Sequence, residues 1–306
     1  ELGNLKKFKK IVILSGGISD EKEISELTSK EVFDTLQNHY DVKLINVTQN
    51  CESLVKSLLQ IKPDVVFNCL HGFFGEDGQV QSILNYLNLP YTHSGVMTSS
   101  VLMNKEISKK IFSSMGVKSP PSMNLDEINQ KKILSPFIVK PINGGSSNGL
   151  LKINNEREFN LFIKKNKKKL KNFLFEKFID GREITVGILN NKICGIMEIV
   201  FDSEIYDYKN KYIQIAQHII NPDLPSNIKE NLCEISLNVH KNTNCNCISR
   251  LDYRYDQKKE EFFLLEVNTQ PGLTKNSLLP EMAKDSGINF FQLCEILIEN
   301  SSCESL

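Results

Sequence analysis

Glu266 and Asn268 stand two positions apart in Phe262-Phe263-Leu264-Leu265-Glu266-Val267-Asn268-Thr269-Gln270-Pro271-Gly272. The segment reads as an apolar strand running into a Pro-Gly turn. Side chains alternate along a strand, so both polar residues share one face. Upstream, Ser249-Arg250-Leu251-Asp252-Tyr253-Arg254 repeats the spacing and puts Arg250 and Asp252 on one face of a partner strand. Two carboxylates and an amide oxygen suit a hard cation such as Mg²⁺, usually bound together with phosphates. A guanidinium beside them suits a phosphoryl group or a developing oxyanion. For any one of these residues a solvated face on an ordinary hairpin is the simpler account. Four such side chains on two strands able to pair favour a site.

A second group points to nucleotide. Gly144-Gly145-Ser146-Ser147-Asn148-Gly149 follows strand Pro136–Lys140, and small residues let backbone N–H groups approach an anion. Lys140 at the end of that strand is placed to reach phosphate oxygens. Glu176 interrupts the apolar strand Phe173–Ile179, which suits adenine or ribose recognition, and Glu183 follows one short turn later. With Lys105, Lys140 and the carboxylate face, a nucleotide site outweighs a set of unrelated surface charges. Neither a Walker phosphate loop nor a Gly-x-Gly-x-x-Gly fingerprint is present.

The elements that must carry these residues begin with strand–helix alternation. Ile11–Leu14 is a strand, followed by the Ser15-Gly16-Gly17 turn and a helix with Ile24, Leu27, Val32, Phe33 and Leu36 on its apolar face. Val42–Val47 and Asp64–Leu70 read as further strands, and Val80, Ile83, Leu84 and Leu87 as a helix face. This order predicts a parallel sheet covered on both faces, with ligands beyond the carboxyl ends of its strands, where Gly16-Gly17 and His71-Gly72 fall. A boundary near 98–105 opens a second region, and a third begins near Glu183. The third carries several strands, a helix with Ile228, Leu232, Ile235 and Val239, and a closing helix around Phe290–Ile298.

The chain of 306 residues is too long for one compact core. Its 37 basic residues balance 37 acidic ones, which argues against a nucleic-acid partner held by bulk charge. No apolar run approaches the ~20 residues of a membrane span. The polar, Lys-rich start passes directly into a strand, so a cytoplasmic protein is expected. Of the 8 cysteines, Cys245-x-Cys247 is a weak metal signal without a second pair, and most others read as reduced core thiols. The basic run Lys164–Lys171 reads as a solvated helix face.

These residues together resemble the ATP-grasp family and, within it, the D-alanine–D-alanine ligases. The resemblance runs over nearly the whole chain. It includes Gly16-Gly17-Ile18-Ser19-Asp20-Glu21-Lys22-Glu23-Ile24-Ser25, Leu70-His71-Gly72 with Gly75-Glu76-Asp77-Gly78, and Tyr91-Thr92-His93-Ser94-Gly95-Val96. The loop 144–149, Tyr206-Asp207-Tyr208-Lys209-Asn210-Lys211-Tyr212 and the strands at 250–252 and 266–268 complete it.

The resemblance implies an α/β fold: an N-terminal doubly wound parallel-sheet domain (1–100) followed by two α+β ATP-grasp domains (101–183 and 184–306) that grip ATP. Lys105, Lys140, Ser146, Ser147, Glu176, Lys177, Phe178, Ile179, Glu183 and Lys211 then form the nucleotide pocket, with the backbone at 177–179 facing adenine and Lys211 on the γ-phosphate. Asp252, Glu266 and Asn268 hold two Mg²⁺ (or Mn²⁺) ions. Arg250 and the Gly272 N–H stabilise an oxyanion. Glu21 anchors the ammonium of a first D-alanine beside His71, and Ser277 and Leu278 seat the carboxylate of a second. Glu21, Ser146 and Tyr212 form a hydrogen-bonded set joining that site to the lid.

The implied reaction makes D-alanyl-D-alanine for peptidoglycan through an acyl phosphate. The loop 144–149 and the segment 206–222 close as lids against water. A homodimer through the N-terminal domain is also implied. Tyr212 favours an amine acceptor over D-lactate; D-lactate or D-serine as acceptor, or a non-catalytic ATP-binding protein, are the alternatives. The last of these has no need of intact Asp252, Glu266, Asn268 and Arg250. Departures from the family pattern are Asn143 before the loop glycine, Phe178 in place of a tryptophan, Gln270 in place of a small residue, and an apolar lid at 213–220.

Overall fold

A computed structural model describes residues 8–125, 128, 136–145, 149–201 and 216–304. Among the described residues the strands form three sheets. The first is parallel, in the order β2-β1-β3, from β1 (Lys10–Gly16), β2 (Asp41–Val47) and β3 (Val65–Asn68). Alternation along the central strands sorts them into two cores. Ile11, Ile13 and Phe67 pack against Val32 and Leu36 of α1 (Lys22–Leu36). Val12, Leu14 and Val66 pack against α2 (Cys51–Ile61) and α3 (Gln79–Tyr86) through Leu54, Leu58, Val80 and Leu84. The sheet is therefore covered on both faces, as its unbroken apolar strands require.

At its carboxyl edge the chain turns sharply at Gly16. Its φ is +81°, and a Cβ there would meet the Asn46 side chain at 2.3 Å.

Two expectations about this region change. The strand predicted over 64–70 ends at Asn68, because the Asn68 side chain takes over the backbone's bonding. Its Oδ1 accepts from the Leu70 N–H (3.1 Å) and its Nδ2 donates to the Gly75 carbonyl (2.9 Å). The face of α1 also differs: Leu27 is 56 % exposed, whereas Ser25, Thr28 and Ser29 are buried. Small polar residues line that face because it closes over the loop after β3. Thr28 Oγ1 lies 3.3 Å from His71 Nε2.

The helices α4 (Val96–Met103) and α5 (Lys105–Ser114) follow, then an antiparallel four-stranded sheet in the order β4-β7-β5-β6. Its strands are β4 (Ser122–Met123), β5 (Phe137–Pro141), β6 (Leu151–Ile153) and β7 (Phe173–Lys177), with α6 (Glu156–Asn166) against it. Its core consists of Phe137, Val139, Phe159, Phe162, Phe175, Ile128 and Ile153.

The third sheet is antiparallel, ordered β10-β9-β8-β11-β12, from β8 (Arg182–Leu189), β9 (Lys192–Val200), β10 (Gln217–Ile220), β11 (Ile248–Asp256) and β12 (Glu261–Asn268). One face meets α7 (Ser226–Asn242) and, through Leu102 and Phe112, helices α4 and α5. The other face shares a core with the first sheet through α8 (Leu278–Asp285) and α9 (Phe290–Glu299). Among the described residues, no helix is long and apolar enough to cross a membrane.

Candidate active site

Strand β11 sends Leu251 and Tyr253, both fully buried, into the core, so Arg250 and Asp252 face the opposite way. Pairing with β12 sets Asp252 opposite Glu266 and Arg250 opposite Asn268. The four side chains expected to converge do so. Arg250 forks onto Asp252, with Nε donating to Oδ1 at 2.9 Å and the terminal nitrogen to Oδ2 at 2.8 Å. Thr185 Oγ1 on β8 donates to Oδ1 (2.6 Å), and Asn268 Nδ2 donates to Oδ2 (2.9 Å).

A carboxylate has about four lone-pair positions, and these contacts engage that number on Asp252. The donor set fits a hard cation on one condition: the Asn268 amide or the Arg250 fork gives way at Asp252. Turning the amide about its axis would present Asn268 Oδ1 instead. Among the described residues no three His, Cys, Asp or Glu side chains cluster to hold a metal, so two carboxylates and an amide are the set available. Cys245 and Cys247 do not add to it. Both are buried, and burial pushes each thiol up to about 11.

Lys105 opens α5 beside this face. Its ammonium lies 3.4 Å from Glu266 Oε2 and donates to the Gly144 carbonyl at 2.7 Å, tying the Gly/Ser loop to the carboxylates. One helical turn on, Lys109 contacts Glu176, and Lys140 lies 2.7 Å from the other Glu176 oxygen. Lys140 was expected to point at phosphate; its ammonium rests on Glu176. That carboxylate is 2 % exposed. Burial pushes its pKa up, but Lys140 and Lys109 outweigh it, so the net shift is downward and Glu176 is ionised.

Lys105, Lys140, Glu176, Lys177, Phe178, Ile179, Glu183, Arg250, Asp252 and Glu266 all line one cleft between the second and third sheets. Glu183 pairs with Arg254 at 3.2 Å, and Lys152 lies 4.0 Å above the Phe178 ring.

Beyond the Lys105 end of the cleft, Glu21 reaches across from the start of α1. A Cβ added at Gly72 would lie 2.7 Å from its Oε2, and one at Gly145 would lie 3.0 Å away. Glu21 thus sits between the His71 loop and the Gly/Ser loop. His71 is buried, with Nδ1 3.2 Å from Glu76. Burial pulls its pKa down, yet the Glu76 hydrogen bond and the charges of Glu76 and Glu21 win and raise it.

Ser277 and Gly272 are neighbours, since a Cβ on Gly272 would meet Ser277 Oγ at 3.0 Å. That hydroxyl is already 2.8 Å from Thr274 Oγ1, and the Leu278 side chain is buried. A carboxylate seated here would meet the N–H groups that open α8 rather than the leucine side chain. Ser146, Ser147, Lys211 and Tyr212 lie outside the described residues.

Three residues escaped the sequence reading. Thr185 and Lys109 bear directly on Asp252 and Glu176. Gln270, read only as a departure, is 4 % exposed and joins the exit of β12 to the exit of β3. Its Oε1 accepts from Asn68 Nδ2 (3.0 Å), and its Nε2 donates to the Asn68 carbonyl (3.1 Å) and to the Leu70 carbonyl. The only sequence signal was a polar residue where small ones are usual.

Two antiparallel sheets closing on a basic and carboxylate-lined cleft, beside a parallel-sheet domain, define the ATP-grasp class. Family models agree: "D-ala D-ala ligase C-terminus" matches residues 107–299 and "D-ala D-ala ligase N-terminus" residues 50–94. The D-alanine–D-alanine ligase of Pelagibacter ubique is 42% identical over 309 residues, covering 96% of this chain and 98% of its own. That of Rhodospirillum rubrum is 36% identical, covering 97% and 99%. The Bacillus anthracis D-alanine–D-alanine ligase complexed with ATP superposes with a TM-score of 0.81 at 29% identity, over 95% of this chain and 97% of its own. The Enterococcus faecalis VanG D-Ala:D-Ser ligase does so with a TM-score of 0.77 at 26% identity, over 96% and 99%. The chain belongs to the D-alanine–D-alanine ligase family.

Proposed function

We propose that this chain joins two D-alanines to D-alanyl-D-alanine at the expense of ATP, supplying a peptidoglycan precursor. The observation that carries the reading is that Lys105, Glu176, Arg250, Asp252 and Glu266 line one cleft together. The γ-phosphoryl group passes to the carboxylate of the first D-alanine, and ADP departs. The amine of the second attacks the acyl carbon, and the C–O bond to phosphate breaks from a tetrahedral intermediate.

Lys105 holds phosphate oxygens, and the 177–179 backbone with Glu176 receives adenine, leaving Glu183 for the ribose. Glu21 takes the first ammonium beside His71. Ser277 and the N–H of Leu278 take the second carboxylate. Arg250 and the Gly272 N–H meet the negative charge that grows on the acyl oxygen, where a preformed donor contributes most. Asp252, Glu266 and Asn268 would hold Mg²⁺ or Mn²⁺, which supplies charge neutralisation on the phosphates when bound. Ser146, Ser147, Lys211 and Tyr212 complete the lid side of this reading.

Three domains (1–100, 101–183, 184–306), a homodimer and a cytoplasmic location belong to the same proposal. One sheet per proposed domain supports the first, and eight free cysteines support a reducing compartment. D-Serine as acceptor is the second reading, favoured by the likeness to the Enterococcus faecalis enzyme. The test is ATP-dependent phosphate release with D- and L-amino acids and D-lactate. Strict dependence on D-alanine is expected; release driven equally by L-alanine would overturn the assignment.

A further inference from the structure

Lys109 has no place in the reaction just described, yet it is spent entirely on the base end of the cleft. It lies one helical turn after Lys105, so both ammonium groups leave the same face of α5. Lys105 serves the phosphate end. Lys109 uses its three donors on the Pro120 carbonyl (2.6 Å), Ser122 Oγ (2.8 Å) and Glu176 Oε1. Ser122 is itself paired with Glu176 across β4 and β7. Lys140 holds Oε2 from the neighbouring strand at 2.7 Å.

Each Glu176 oxygen thus carries one cation and keeps a lone pair for the cleft that the carboxylate lines. An ionised carboxylate only accepts hydrogen bonds. It rewards a base that offers an exocyclic N–H and repels one that offers a carbonyl oxygen in the same place. Site groups built to pair with a donor discriminate far better than apolar walls, because a mismatch leaves a buried polar group unpaired.

We propose that Lys109 is a positioning residue for nucleobase selection, holding Glu176 as an acceptor-only edge that takes a 6-amino purine and rejects a 6-oxo purine. The inference rests on the cleft being the ATP site. Without Lys109, the buried carboxylate has one cation instead of two. It is then free to turn toward Lys140 or to take a proton, and a protonated acid can donate to a 6-oxo group. Burial pulls the Lys109 pKa down, and Glu176 is the partner whose charge holds against it.

The experiment measures ATP and ITP affinity calorimetrically on the full chain, with Mg²⁺ and without D-alanine. Lys109→Met is expected to weaken ATP by about ten- to a hundredfold while ITP changes little, so the ATP/ITP ratio collapses. Lys109→Arg should keep the ratio. Should Lys109→Met fail to fold, Lys109→Gln, which keeps a donor without the charge, is expected to shift the ratio the same way. Equal weakening of both nucleotides, or an unchanged ratio, reduces Lys109 to a tie between α5 and β4 and overturns the proposal. Wild-type protein that binds ATP selectively but releases no D-alanine-dependent phosphate would sink the ligase reading alone.

Discussion

The first and third sheets share one apolar core, whereas the four-stranded sheet keeps its own. Ile13, Phe67 and Leu36 from the first region pack in one cluster with Met197, Ile248, Leu279, Met282 and Leu293 from the third. Phe137, Phe159, Phe162 and Phe175 form a separate aromatic cluster, with edge-on contacts such as Phe162–Phe173 at 5.1 Å between centroids. The small sheet meets the rest through polar contacts: Lys105 to Gly144, the Lys105 N–H to the Ile142 carbonyl (3.0 Å), and Lys109 of α5 to Glu176. The lesson is a division of labour. On the proposed reading, the parts that hold two amino acids against Asp252 and Glu266 are the ones fused by burial, which resists rearrangement. The four-stranded sheet is joined by contacts that water can replace, which on the same reading suits repeated closing and opening around nucleotide.

The sharpest way to break this comparison is at the seam. Glu266→Gln keeps shape and removes the charge facing Lys105, so turnover should fall about a hundredfold or more with the melting curve unchanged, as expected for loss of a preorganised charge. Near-normal phosphate release would remove Glu266 from the machinery.

Inside the two cores, Phe159→Ala should cost about 3–5 kcal/mol and Leu293→Ala about 2–5 kcal/mol. Hydrogen exchange separates them. Phe159→Ala should expose only amides of the four-stranded sheet, and Leu293→Ala those of the first and third sheets together. A single pattern for both variants would refute separate cores.

Acid should strike the fused part through His240, which lies between Ser249 (2.7 Å) and Asn191 (2.9 Å). Burial pulls its pKa down to about 4 from 6.5. The unfolded chain therefore binds the extra proton first, and stability is lost as pH falls from 6.5 toward 4, on the order of 3 kcal/mol over that window. His240→Gln should flatten that slope in a urea titration; a slope that survives assigns it elsewhere.

The smallest effect is expected at Gln270→Leu. Removing its amide leaves Asn68 Nδ2 with the Gly75 carbonyl alone and strands the Asn68 and Leu70 carbonyls, costing about 1–3 kcal/mol. The denaturation midpoint should drop without a change in slope, and a midpoint equal to wild type would deny the staple any weight.

Much of this was legible from local pattern. The two-residue spacing of Glu266 with Asn268, and of Arg250 with Asp252, predicted a shared face, and the strand register agrees. Apolar runs at Ile11–Leu14 and in β3 announced a sheet buried on both sides. The small polar face of α1 was not legible. Its apolar period is that of an ordinary amphipathic helix, and only the His71 loop packed beneath it explains Thr28.

Chain chemistry alone settled which elements form, which side chains share a face, and that carboxylates, an amide and lysines were available for phosphate chemistry. Those follow from alternation and helical period, which are properties of a few neighbouring residues. Tertiary structure decided the partners: Lys140 and Lys109 on Glu176, Thr185 on Asp252, and Gln270 across to Asn68. Each of these contacts joins groups distant along the chain, and no local preference specifies a distance that only the packing of sheets and helices sets.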